Sequence, residues 1–235
     1  RRLNRLFRFE DPKIVSLFDK RFISSIFKKV NVLEECVKSV EEASGINFPE
    51  YYVEPILPIY FDVGGGIAVY YARTIPYAAP SGLDIVVQVS AALLKYGSKS
   101  SIEAVLAHEF LHYLDLVRRI SKFEVLSDEV RESVFEALYS DLEKTIKPEH
   151  VYSDKRLIRN IRKKFADGFE DKRLKDKTLS DWINRGRPVV QLPPEENVVR
   201  IPVNMILASK FDPILLLKIR EIEKRAGLVW SATPD

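Results

Sequence analysis

The chain of 235 residues holds one cysteine, one methionine and three histidines. A single thiol, Cys36, excludes an internal disulfide and suits a reducing compartment, so a cytoplasmic location is expected. Long apolar runs are missing as well. The longest candidate, Ile85 to Leu94, is interrupted by Gln88 and Ser90 and falls short of the ~20 residues a membrane helix needs. Charge of one sign is scarce: 37 Lys and Arg against 34 Asp and Glu leave a formal +3, too little by itself to imply nucleic acid. The opening Arg1-Arg2-Leu3-Asn4 is basic, but no apolar core of a signal peptide follows, and without an initiator Met some residues ahead of Arg1 are expected to be missing. No internal repeat or low-complexity segment occurs. What remains is an ordinary globular composition, 46% hydrophobic and 30% charged, in a chain long enough to bury one sizeable core.

Two of the three histidines stand together, in His108-Glu109-Phe110-Leu111-His112, within an apolar, helix-competent run from Ile102 to Val117. At 3.6 residues per turn, side chains four apart lie one above the other on one face of a helix. Two imidazoles so stacked can bind one zinc ion, and Glu109 can reach water on that metal. The plainer alternative is a helix with one buried, hydrogen-bonded histidine and one at its edge. The flanks Ala104-Val105-Leu106-Ala107 and Phe110-Leu111 argue against it, because two neutral imidazoles and a carboxylate are costly in apolar surroundings without a partner.

Around this motif the organisation is readable. Apolar positions from Ile14 to Val40 predict helices over 12 to 44, with Gly45 as a stop. Short runs at Ile56 to Val63, Ile67 to Ala72 and Asp84 to Ser90 predict strands, with Gly64-Gly65-Gly66 as a hairpin turn. A phosphate-cradling loop is the rival for that triplet, but the Lys-Ser/Thr ending and the following helix are missing. Ser100 or Ser101 can cap the motif helix, which should run to about Ile120. Further helices are expected over Ser127 to Ile146, Asp154 to about Glu170 and Pro213 to Ala226, with an extended Pro-rich stretch from 186 to 202.

The H-E-x-x-H motif resembles that of the zincin metallopeptidases, and strands ahead of it follow the order of their catalytic domains. The resemblance covers roughly residues 55 to 145. It implies an α+β fold with a zincin-like catalytic core: a small, mainly antiparallel sheet, then the motif helix and further helices. Residues 1–50 would be a helical packing segment, 51–150 the core and 151–235 a helical C-terminal part of one domain. It also implies an edge strand above the zinc that pairs with extended substrate, for which Ile85 to Val89 is the nearest candidate. A peptide or protein would be the substrate, zinc (Zn2+) the cofactor, His108 and His112 metal ligands and Glu109 the general base.

Catalytic zinc needs a third protein ligand. The metzincin pattern is excluded, since Arg118 and Asp115 stand where its third histidine and its glycine would be. The gluzincin pattern places a glutamate, often followed by alanine, on the next helix. Phe135-Glu136-Ala137 is similar to that signature, and Glu136 lies 24 residues after His112. On a helical wheel Glu136 shares a charged stripe with Glu129, Glu132 and Glu143, which can line a cleft or face solvent. Glu132 and Asp141 stay open as alternatives. So do Asp167 and Glu170, because Lys163 to Glu170 resembles the E-x-F-A-x-x-F-E segment of some larger gluzincins, with Lys163 where the ligand glutamate would stand.

Several residues carry two readings each. Asp115 can orient a zinc-bound imidazole or pair with Arg118 or Arg119. Tyr139 and Tyr152 are candidate oxyanion donors by type. His150 reads as a surface histidine. The basic stretch from Lys155 to Lys175 can face nucleic acid or be a solvated helix face, given its interleaved acids. Two further readings of the whole chain are open: a non-catalytic zincin scaffold that binds a protein or nucleic acid without crossing a membrane, and a latent protease covered by its own segments.

Overall fold

The N-terminal helices start and stop where the sequence carries caps. In the computed structural model, which describes residues 3–62, 64–80, 82–125, 146–192 and 203–228, Asp11 accepts from the Lys13 N–H ahead of α1 (Pro12–Val15). Asp19 does the same for Phe22 ahead of α2 (Lys20–Phe27). α3 (Val30–Ser44) ends at Gly45, whose φ of 68° is left-handed backbone that glycine adopts without a Cβ clash. These helices bury Phe22, Ile26, Leu33, Val37 and Val40, as the apolar spacing predicts. Cys36 is buried among them and its thiol donates to the Lys99 carbonyl. Loss of solvent, and then Glu103 nearby, push its pKa up to about 12, so it is an inert packing group.

Five strands follow among the described residues: β1 (Glu50–Glu54), β2 (Leu57–Phe61), β3 (Ile67–Val69), β4 (Ala72–Ala79) and β5 (Gly82–Ser90). They divide between two small sheets, one ordered β1-β5-β4 and one ordered β3-β2-β6, where β6 (Val189–Gln191) comes from the Pro-rich stretch. The pairs β4–β5 and β2–β3 are antiparallel, while β1–β5 and β2–β6 are parallel. The sheets are therefore mixed, not mainly antiparallel as expected. β1 meets β5 only after the chain has made β2, β3 and β4, a connection long enough for a parallel return.

The glycine triplet serves as the β2–β3 turn. The Asp62 N–H donates to Gly66 O, and the Asp62 carboxylate accepts from the N–H groups of Gly64 and Gly66. The expected strand Ile67 to Ala72 is split, because the chain changes sheets at Tyr70 and Tyr71. The Tyr70 N–H donates to Pro58 in one sheet, and Tyr71 O accepts from Ser90 in the other. β5, expected to be nearest the site at an edge, is the central strand of its sheet. The edges are β1 and β4, and β4 holds Pro76, a residue with no N–H for a second neighbour and so confined to edges.

α4 (Ala91–Tyr96) ends at Gly97, where a Cβ would collide with the Leu93 carbonyl. α5 (Lys99–Val125) starts at once behind it, capped by Ser98, whose Oγ accepts from the Ser101 N–H at 3.1 Å. The cap is thus not Ser100 or Ser101, as expected. The Ser101 hydroxyl donates to Asp171 instead. α5 also continues past Ile120. Beyond it lie α6 (Pro148–Val151), α7 (Lys155–Lys164), α8 (Lys172–Thr178) with a π turn over Leu179–Ile183, α9 (Val203–Ala208) and α10 (Pro213–Ala226). α10 stops at Gly227, as expected. The helix expected to run to Glu170 ends at Lys164. The helix expected over Ser127 to Ile146 falls outside the described residues, Ile146 apart.

The class is α+β. Buried side chains from Phe9 to Ile222 form one hydrophobic cluster, to which the N-terminal, central and C-terminal parts all contribute. No helix among the described residues is long and apolar enough to cross a membrane. Trp182 ties the two ends of the chain together: fully buried, it packs on Phe18 and Phe22, and its Nε1 donates to Pro188 O at 3.0 Å. Trp182→Ala is expected to cost about 3–5 kcal/mol of unfolding free energy, read by urea denaturation. A loss below about 1 kcal/mol would show that this junction is not part of the cooperative core.

Candidate metal centre

α5 sets His108 and His112 one turn apart on one face, with their Nε2 atoms 2.9 Å from each other. The rings meet at 86° with centroids 4.5 Å apart. At 2.9 Å one nitrogen donates and the other accepts, so at most one of the two carries a proton. Zinc bound by two imidazoles at about 2.0–2.1 Å in tetrahedral geometry sets its nitrogens roughly 3.3 Å apart. A few tenths of an ångström of ring movement covers the difference, and the pair fits a shared ion. His108 is partly buried, and loss of solvent followed by the neighbouring His112 pushes its pKa down to about 3. A neutral imidazole is the form that binds a metal.

Glu109 completes the group. Ligand-type atoms of His108, Glu109 and His112 lie within 4.8 Å of one another, and no other described His, Cys, Asp or Glu joins them. Burial raises the Glu109 pKa, against the opposing pull of His112, of hydrogen bonding by Thr74 and of Arg73. The Thr74 hydroxyl lies 2.8 Å from Glu109 Oε2 and 3.1 Å from the Glu109 carbonyl. The motif helix is thereby fastened to β4. Sequence reading missed Thr74, because β4 itself was missed; Pro76, read as an edge-strand mark, was the available signal.

The same strand has a side turned away from β5. In an antiparallel ladder successive residues face alternately toward and away from the neighbour. Tyr71 accepts from β5, and Pro76 has nothing to donate to it, so Thr74, between Ala72 and Pro76, turns its backbone N–H and C=O away from β5. There the Thr74 N–H bonds the Glu109 carboxyl, and among the described residues no backbone takes up the rest of that edge.

On its other flank His108 meets Phe165, with ring centroids 3.8 Å apart and planes within 8° of parallel. The Lys163 to Glu170 segment therefore does lie against the motif, through an aromatic contact. Asp167 and Glu170 are exposed and do not join the histidines. Glu136, Glu132, Asp141 and Tyr139 lie outside the described residues.

The remaining candidates have other partners. Asp115 pairs with Arg118 at 2.7 Å and with Arg119 at 2.9 Å, its second reading, although the cluster is largely buried and not on the surface. Tyr152 reaches the motif helix, but its hydroxyl donates to the Ala107 carbonyl at 2.6 Å and braces α5 from inside the core. That buried bond replaces the expected oxyanion role. His150 accepts from the Lys147 N–H at 3.3 Å and closes the first turn of α6. In the basic stretch, Arg156 pairs with Glu103 and Asp154, Arg162 with Glu149, and Lys164 with Asp171.

No protein-family model matches the chain, and neither a curated protein nor a solved structure matches it.

The two shifted groups act oppositely on the metal-free protein. His108 stays neutral when folded, so the unfolded chain binds the extra proton and stability falls as pH drops from about 6.5 toward about 3. Glu109 holds its proton longer when folded, so it takes stability away as pH rises above about 4.5, the ordinary value for a glutamate. His108→Gln removes the first effect and keeps the second. Its urea midpoint should fall less on acidification than that of the unmutated chain, and equal slopes would contradict a buried neutral His108.

Proposed function

We propose that the chain is a zinc-dependent metallopeptidase of gluzincin type, with a zincin-like core formed by the β1-β5-β4 sheet and α5. The observation that carries this reading is the paired Nε2 atoms of His108 and His112 with a partly buried glutamate beside them. His108 and His112 hold the metal through Nε2, with Glu136 as the third ligand by its place after the motif. When bound, zinc supplies Lewis acidity, acidifying a water and polarising a peptide carbonyl.

Glu109 does the proton work. It takes a proton from the attacking water and returns it to the leaving nitrogen, and a carboxyl whose pKa is raised holds that proton more readily between the two transfers. Thr74 fixes the carboxylate from the edge strand. The Thr74 N–H is taken by Glu109, and the outward groups of Ala72 and Ala78 on the same edge remain to pair with an extended peptide, so a peptide or protein is the substrate. The cations that pair with carboxylates along α7 favour a solvated helix face over a nucleic-acid surface. One buried thiol is in keeping with work in the cytoplasm.

The test uses an unfolded protein such as casein as substrate. Hydrolysis should stop with a chelator and return with zinc, and Glu109→Gln should lower turnover by about 10²–10⁴-fold while zinc stays bound. Undiminished hydrolysis by Glu109→Gln would sink the mechanism.

A further inference from the structure

We infer that Phe165 is a positioning residue of the metal centre, which sets the ring plane of His108 by stacking on it. The inference rests on the metallopeptidase reading of α5. A zinc-bound imidazole is ordinarily oriented by a carboxylate or carbonyl that accepts from its second ring nitrogen. Here the one hydrogen bond of His108 among the described residues is the Nε2 contact with His112. The carboxylate one turn further along the helix, Asp115, is held by Arg118 and Arg119. What does fix the ring is the flat face of Phe165, at 3.8 Å and 8°.

The stack is itself well anchored. α7 ends at Lys164, and the chain then closes a short turn: the Glu170 N–H donates to Lys164 O at 2.7 Å, and Lys164 Nζ meets Asp171 at 2.8 Å. Gly168 lets the turn close, with a φ of 79°. Asp171 also accepts from Ser101 on α5 and from the Leu174 N–H, so the turn is fastened to the first part of the motif helix. Behind Phe165 stands Phe169 at 5.1 Å, and behind that Tyr71 at 5.4 Å, whose hydroxyl shares a 2.9 Å hydrogen bond with Thr178. A row of rings thus runs from the start of β4 to the first metal ligand.

Stacking can perform this task. It restricts rotation about the Cβ–Cγ bond of His108, the motion that would carry Nε2 away from His112. Metal binding draws electron density from the imidazole, and a ring bearing partial positive charge is attracted further by the face of a phenyl group. Phe165 therefore favours the metal-bound form over the free one.

Two measurements test this. In the unmutated, metal-free chain the ring protons of His108 should show upfield ring-current shifts by NMR, a signature that holds whether or not any variant folds. Zinc affinity, by competition with a chelator, should then fall about tenfold in Phe165→Leu and stay within about twofold of wild type in Phe165→Tyr, which keeps the ring. Phe165→Met, apolar and flexible but ringless, replaces the leucine variant if that one does not fold, with the same loss expected. Wild-type zinc affinity in a ringless variant, or unshifted His108 protons, would overturn the positioning role and leave the metallopeptidase reading standing. A wild-type chain that binds no zinc would overturn both.

Discussion

Glu109 is partly buried on a helix with apolar neighbours, and a carboxylate so placed needs a hydrogen-bond donor to keep its charge. The donor is Thr74, and Thr74 is on β4. That bond fastens the edge strand along the motif helix; burial raises the carboxyl pKa, and His112 and then Thr74 oppose the rise. The polar groups on this part of α5 bond one another or β4: His108 to His112, Glu109 to Thr74. A metal shared by the histidines fits that arrangement.

The rest of the molecule holds α5 in place for this purpose. Buried Glu103 in its first turns is gripped by Ser39 from α3 and by Arg156 from α7. The Tyr152 hydroxyl supports the Ala107 carbonyl one residue before His108. Further along, Arg118 and Lys122 face Glu223 of α10. Phe110, in the middle of the motif, is fully buried and stacks on Phe48. These ties come from segments far apart in sequence, so the geometry of the histidine pair depends on the whole core.

Legibility from sequence followed the range of the interaction. Helix stops such as Gly45 and Gly227 act within a few residues and were readable, while the cap of the motif helix, expected at Ser100 or Ser101, lies at Ser98. The HExxH spacing is equally local, because one helical turn brings the two Nε2 atoms together. Strand order was not readable, since β1 and β5 pair across 36 residues and β6 arrives from position 189. β4 was hidden by Pro76, which lowers strand propensity and at the same time marks the edge. Lys163 drew attention to the ligand it replaces and away from Phe165, two residues on, which makes the contact with His108. Tyr152 was assigned its role by residue type alone, and a long-range partner in the core claimed it, whereas Asp115 makes the helix-local pairs that were one of its two readings.

The most direct test of the central claim is the zinc content of the purified chain by elemental mass spectrometry, beside a His108→Ala, His112→Ala double variant and a Glu136→Ala variant. The account predicts about one tightly held zinc per wild-type chain, none in the double variant and weakened retention in Glu136→Ala. A wild-type chain that takes up no zinc even after reconstitution would contradict it.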